Sequence, residues 1–218
     1  MATPLLYTAE LDLAEADIGP FEQWYAYRHA PDVYQCGFLT CSCYRVFGGD
    51  MNLFDLYEIA DRSVFENPRY LGMRGRDPYM GPLMEKRRDK AHTVYDQRLI
   101  APEPGDKWLD ADWISVVRFD APIDQDGAIA ALLSAEMGRL SRLGARRIRF
   151  GHRTQDHPRN PTHRPRCMVV VEWPHQPPAE AQLADTLGGR FGSALTRLDA
   201  FTGHRIYPWP DVPANEVG

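Results

Sequence analysis

Apolar and polar positions change period several times along this chain. Four short runs in the first half, at 5–11 (LLYTAEL), 38–47 (FLTCSCYRVF), 53–59 (LFDLYEI) and 92–100 (HTVYDQRLI), are rich in aromatic and β-branched residues. Glycine, proline, asparagine or aspartate lies around them, which predicts strands. Residues 21–29 predict a helix, and 64–88 a second helical region. Within it, 67–82 carries three prolines and three glycines, which predicts a loop able to act as a lid. The second half follows the same order. Strands are expected at 113–119, 148–152, 168–173 and 198–206. A helix is expected at 126–143, where Ile129, Leu132, Leu133, Met137 and Leu140 recur at helical spacing, and another at 179–187.

Each half therefore reads β-α-β-β-α-β, the ferredoxin-like arrangement, in an α+β chain. The segment 101–108 (APEPGDKW) has the composition of a boundary, giving repeats at 1–104 and 105–218. A four-stranded antiparallel sheet covers one face with its own helices and leaves the other bare. Two such sheets in one chain can cover each other, which predicts a fused barrel with a cavity between the sheets.

The 218 residues are 44% hydrophobic and 25% charged, with a formal net charge of −5. That is ordinary globular composition, and it argues against a nucleic-acid partner. No apolar run is long enough to span a membrane, and the N-terminus has no signal-peptide pattern. The four cysteines form no CxxC pair, so reduced, buried thiols in a cytoplasmic protein are expected. Phosphate-binding glycine loops and a GxSxG nucleophile elbow are absent from the sequence.

One stretch carries a more specific pattern. Trp24, Tyr25, His29 and Pro31 form W-Y-x-x-x-H-x-P, followed by Gly37-Phe38, the strand pair Tyr44-Arg45 and FDLYEI at 54–59. This resembles the EthD-like branch of the dimeric α/β-barrel superfamily over about the first hundred residues. The second half lacks the motif and resembles the family only in its order of elements. The resemblance implies paired ferredoxin-like sheets with a pocket, and a degenerate second copy. It also implies a small-molecule protein from a group spanning monooxygenases, cyclases, isomerases, decarboxylases, dehydratases and haem-binding proteins.

The candidate chemistry centres on His29, placed by Pro31 near a helix C-terminus where the dipole favours an imidazolium. A capping histidine without a chemical role is the plainer alternative. Tyr25 and Tyr57 are candidate oxyanion donors beside it. Trp24, Phe38 and Phe54 are candidate apolar walls, and Asp55 and His92 candidate polar contacts. Arg74 and Arg76 are candidate clamps for a carboxylate. His152, Asp156, His157 and His163 match no familiar metal spacing, so neither metal nor cofactor is expected. One histidine would nevertheless suffice for haem. The leading expectation is a cofactor-independent lyase, or a cyclase or isomerase, acting on an aromatic or polyketide-like substrate. Cofactor-free oxygenation of a phenol and a non-catalytic binding or stress-associated protein are the alternatives. A homodimer is compatible with each.

Overall fold

A computed structural model describes residues 3–100 and 109–208. The expected boundary segment at 101–108 lies outside them, as does the tail after Pro208. Eight strands form one closed antiparallel barrel in the order β1-β3-β2-β8-β5-β7-β6-β4. They are β1 (Leu5–Asp12), β2 (Phe38–Phe47), β3 (Leu53–Ile59), β4 (Asp89–Ile100), β5 (Trp113–Asp120), β6 (Arg147–His152), β7 (Cys167–Trp173) and β8 (Thr196–Tyr207). The first four strands lie in the order β4-β1-β3-β2, and the last four in the corresponding order β8-β5-β7-β6. The β2–β8 and β4–β6 ladders join the two sheets.

Helices α1 (Glu15–Trp24), α2 (Ala30–Tyr34), α3 (Pro68–Arg76) and α4 (Met80–Glu85) belong to the first sheet. Helices α5 (Asp126–Arg142) and α6 (Leu183–Phe191) cover the second. Two sequence expectations fail here for local reasons. The segment 67–82 is not a loop: Pro68 takes the first turn of α3, where no backbone donor is needed, and the Asn67 side chain caps it by accepting from Arg69 N at 2.8 Å. Nor does Pro31 stop the first helix. The helix continues to Tyr34, and Gly37, with φ of +98°, turns the chain into β2.

Alternating strand residues face opposite sides of the sheet. The inward set is Leu6, Tyr44, Phe54, Leu56, Tyr95, Ile114, Val116, Met168, Val170 and Phe201, packed as one cluster. Buried charges complete the filling. Glu10 meets Arg118 at 2.6 Å and Arg164 at 2.8 Å. Arg149 lies 2.5 Å from both Glu58 and Glu172. Glu58 also accepts from Leu109 N at 2.7 Å and Gln97 Nε2 at 3.1 Å. Every one of these carboxylates is compensated, as burial requires. On β6, Gly151 leaves room for Tyr95, whose Cβ would stand 2.8 Å from an added Cβ. The recess beside Glu10, Phe54 and Arg118 has no room for a water molecule. The expected cavity between the sheets is thus filled by side chains. The space for a ligand lies on the outer face of the first sheet.

Candidate functional site

The outward residues of β1, β3 and β4 meet α1–α4 and the loop between β6 and β7 around a cavity of about 280 Å³. The helix over this face is not uniform. Residues Tyr25–His29 form a single π turn, in which Ala30 N bonds to Tyr25 O. Pro31 has no N–H to offer the carbonyl four residues back, and the wider turn absorbs that loss. The turn places Tyr25 and His29 on the sheet side, with Tyr27 left exposed. His29 stacks on Trp24 with ring centroids 4.7 Å apart, and Trp24 Nε1 donates to Asp77 at 2.5 Å.

Beneath the turn, β3 presents Asp55 and Tyr57 on the same face, two residues apart. Tyr57 is the hub of a polar cluster. Tyr25 donates its hydroxyl to Tyr57 at 3.1 Å, and Tyr57 donates to Asp55 Oδ2 at 3.3 Å. His29 Nε2 lies 3.3 Å from the Tyr57 oxygen. A phenol has one proton to give, so with Tyr57 donating to Asp55 the imidazole must donate from Nε2. That leaves His29 Nδ1 as a bare acceptor, and it has no partner among the described residues. Asp55 Oδ1 is also unpartnered there.

Burial sets the protonation of this cluster. It raises the Asp55 carboxyl to about 7, against weaker opposing hydrogen bonds from Cys43 and Tyr57. It lowers His29 to about 4, although Asp77 and Asp32 act in the other direction. It also pushes the phenols of Tyr25 and Tyr57 well above their usual value. The charge expected on His29 is therefore corrected: His29 is not at a helix end, desolvation outweighs any dipole, and the ring is neutral. Among these groups Asp55 is the one poised to exchange a proton near neutrality.

A second wall comes from residues the sequence did not single out for the pocket. Tyr7 on β1 bonds to His92 Nδ1 at 2.7 Å and stacks on Tyr57 with centroids 5.3 Å apart. His157 is only 3% exposed, wedged against Phe65 and Tyr7. Its Nδ1 accepts from Arg159 N and Asn160 N, both at 3.2 Å, so Nε2 carries the proton and faces the Tyr70 hydroxyl at 3.3 Å. Burial lowers the His92 and His157 imidazoles to about 3 and about 4. The segment carrying His157 is polar and rich in proline, a composition usual in exposed loops. Instead it closes one side of the first-half pocket, so the second half contributes to the site.

Of the expected site residues, Trp24, His29, Phe38, Asp55, Tyr57, His92 and Arg74 line the cavity. Tyr25 sits directly behind Tyr57. Phe54 is misplaced by the expectation: one residue from Asp55 on a strand, it faces inward and packs on Phe201 at 5.2 Å. Arg76 is likewise removed from the pocket, because Asp32 holds it at 2.8 Å in an outer groove. Arg87, Lys90, Arg159 and Asn160 also line the cavity and carry no motif. For Tyr7 and Lys90 the available signal was strand alternation, which puts them on the face of Asp55 and His92.

Among the described residues, no group of three or more His, Cys, Asp and Glu is placed to hold a metal ion. No helix there is long and apolar enough to cross a membrane. All four cysteines are buried and unbridged.

The chain matches no family model, and no curated protein matches its sequence. Its fold does match solved structures. An anthrone oxidase-like protein superposes with a TM-score of 0.65 at 11% identity, covering 94% of this chain and 92% of that one. A protein assigned as a monooxygenase from Lactobacillus acidophilus gives 0.59 at 12% identity, covering 94% of each chain. A haem-binding protein from Thermus thermophilus gives 0.52 at 10% identity, covering 94% and 92%. What these structures share with this chain is the fold, an α+β arrangement around a closed antiparallel barrel. A haem-sized group is larger than the cavity these residues enclose. The cavity of about 280 Å³ is at the small end of ligand pockets. Among the pocket histidines, His157 Nε2 faces Tyr70, His92 Nδ1 is engaged by Tyr7 and His29 Nε2 faces Tyr57, which leaves His29 Nδ1 as a buried ring nitrogen unpartnered among the described residues.

Proposed function

We propose that the first-half pocket binds a small phenolic or anthrone-type aromatic and removes a proton from it, with Asp55 as general base. The observation that carries this reading is the buried Asp55–Tyr57–Tyr25–His29 cluster at one wall of an aromatic-lined cavity. A carboxyl poised near 7 is matched to general-base work at neutral pH, whereas an imidazole lowered to about 4 is a weak base. His29 accordingly orients Tyr57 rather than taking the proton itself. As Asp55 accepts the proton, its hold on the Tyr57 hydroxyl weakens, and that O–H becomes free to donate to the developing oxyanion.

The proton-transfer step is common to lyase, isomerase and oxygenase outcomes. Oxygenation is the reading favoured by the similarity to the anthrone oxidase-like and monooxygenase-type proteins. The delocalised carbanion gives one electron to dioxygen, and the radical pair joins as a carbon-bound peroxide. The O–O bond then breaks with loss of the remaining C–H proton. In total, a CH2 group and O2 become a C=O group and water, with dioxygen as the only oxidant. The residues assist by holding the anion and supplying or removing protons. A lyase or cyclase outcome from the same carbanion remains the second reading, supported by the same cluster.

Oxygen uptake with anthrone separates the two. Wild-type protein should consume one O2 per anthrone, with a rate that rises through about pH 7 as Asp55 ionises. Asp55→Asn should lose about 10²-fold or more in rate while retaining ligand binding. Product formation without oxygen uptake would move the reading to the lyase class. Full activity in Asp55→Asn would remove Asp55 from the mechanism.

The chain is further read as a tandem fusion of two ferredoxin-like repeats, 1–104 and 105–218, in the manner of the EthD-like branch. The corresponding strand orders of its two sheets support this. A second copy of the chain is not required to close the barrel, because each described strand already has two neighbours.

A further inference from the structure

The cations around the pocket fall into two groups. Arg69 and Arg76 share Asp32, Lys86 holds Asp17, and Arg88 holds Asp12, each pair within 2.7–2.8 Å. These side chains point away from the cavity or lie outside its lining. Arg74, Arg87, Lys90 and Arg159 do line the cavity, and none has a carboxylate partner among the described residues. They arrive from four places: α3, the turn after α4, the start of β4 and the β6–β7 loop. Arg159 lies over the Tyr70 ring at 5.5 Å. Arg74, Lys90 and Arg159 are exposed, and Arg87 is half-buried and donates to the Met84 carbonyl.

Such a cluster is unfavourable by itself. Arg74 and Arg87 lie close enough to Lys90 to lower its ammonium, secondary to the effect of burial. Meanwhile the chain as a whole carries a net charge of −5. The neighbouring cations Arg69, Arg76, Lys86 and Arg88 are neutralised, and the four facing the cavity are not paired among the described residues. The buried carboxyl in the lining, Asp55, accepts from Tyr57 and does not pair with them. An uncompensated cationic rim around an aromatic-walled cavity is what an anionic ligand group would complete.

We propose that the pocket's ligand is an aromatic carboxylate, its ring system held among Tyr7, Trp24, Phe38 and Tyr57 and its carboxylate seated among Arg74, Lys90, Arg87 and Arg159. This deepens the functional reading above and rests on it, since it assigns a substrate class to the same cavity. It also gives the second half a role in selection, through Arg159. Arginine supplies planar, two-pronged donation to a carboxylate, and the exposed position of the rim lets an incoming anion be attracted before it enters.

Calorimetric titration of two matched probes tests this: 2-naphthol, and 3-hydroxy-2-naphthoate, which adds only the carboxylate. The acid should bind wild-type protein at least about tenfold more tightly than the phenol at low salt, and the difference should shrink as ionic strength rises. Arg74→Gln and Arg159→Gln should each weaken the acid by about three- to tenfold and leave the phenol within about twofold. Arg76→Gln, outside the cavity lining, should change neither. Equal binding of acid and phenol, or an Arg76→Gln loss as large as that of Arg74→Gln, would overturn the rim proposal while leaving the pocket reading intact. Failure of both probes to bind would overturn both.

Discussion

Asp55 and His29 share one hydrogen-bonded cluster, and burial moves them in opposite directions. Each is driven towards its neutral form, because desolvation penalises whichever form is charged. Asp55 has a native value of about 7 against 3.8 for a free carboxyl. Between those values the native state holds a proton that the unfolded state has released. Stability from this group is therefore full below about pH 4 and lost as pH rises through about 7. The gap corresponds to about 4 kcal/mol, taken as an order of magnitude. His29, lowered from 6.5 to about 4, acts in the opposite sense: its contribution is present above 6.5 and lost as pH falls towards 4. Comparing wild type with Asp55→Asn isolates the carboxyl. In urea unfolding, the variant should gain on wild type from pH 5 to a little above pH 7 and then level off, by about 2–3 kcal/mol in all. A difference independent of pH would show that Asp55 is ionised throughout.

At the scale of elements, strands were readable and helices less so. The eight strand cores follow from runs of β-branched and aromatic residues, and only their ends differ from the sequence reading by up to a few residues. The first helix misled because proline is usually a stop. Here a π turn at Tyr25–His29 carries the helix past Pro31, and it is this turn that brings Tyr25 and His29 over Asp55 and Tyr57. Nothing in the local sequence distinguishes that turn from a helix end. Helix α3 was hidden because Gly72, Gly75 and Pro68 read as breakers, although burial of Met73 against the core compensates. The site was legible where side chains alternate along β3, and illegible where it depends on contacts distant in sequence, such as His157 against Tyr7. Gly37 is the true terminator. Its φ of +98° disfavours any side chain, while an added Cβ would meet nothing within 4 Å. Gly37→Ala should therefore cost about 1 kcal/mol through backbone strain alone, measured by denaturant unfolding. A neutral result would mean that the turn relaxes.

For the whole molecule, the closed barrel separates two tasks. Its interior is committed to holding the sheets together. Glu10 on β1 with Arg118 on β5, and Glu58 on β3 with Arg149 on β6, bridge the first half to the second across the core. Buried pairs of this kind are costly to break, since removing one partner strands a charge. The outer face of the first sheet is left free to form a pocket, roofed by α1–α4 and closed by a loop from the second half. The facing position in the second half, under α6, is a recess of about 360 Å³ lined by Ser115, Val117, Pro177, Leu183 and Thr202, without an acid or imidazole. Of these two recesses only the first carries an acid and imidazoles, and ligand should be found on the helix side of the first sheet. A crystal structure of the protein soaked with 3-hydroxy-2-naphthoate tests this most directly. The expected electron density places the hydroxyl beside Asp55 and Tyr57 and the carboxylate beside Arg74 and Arg159. Density confined to the barrel interior, or to the recess under α6, would contradict it.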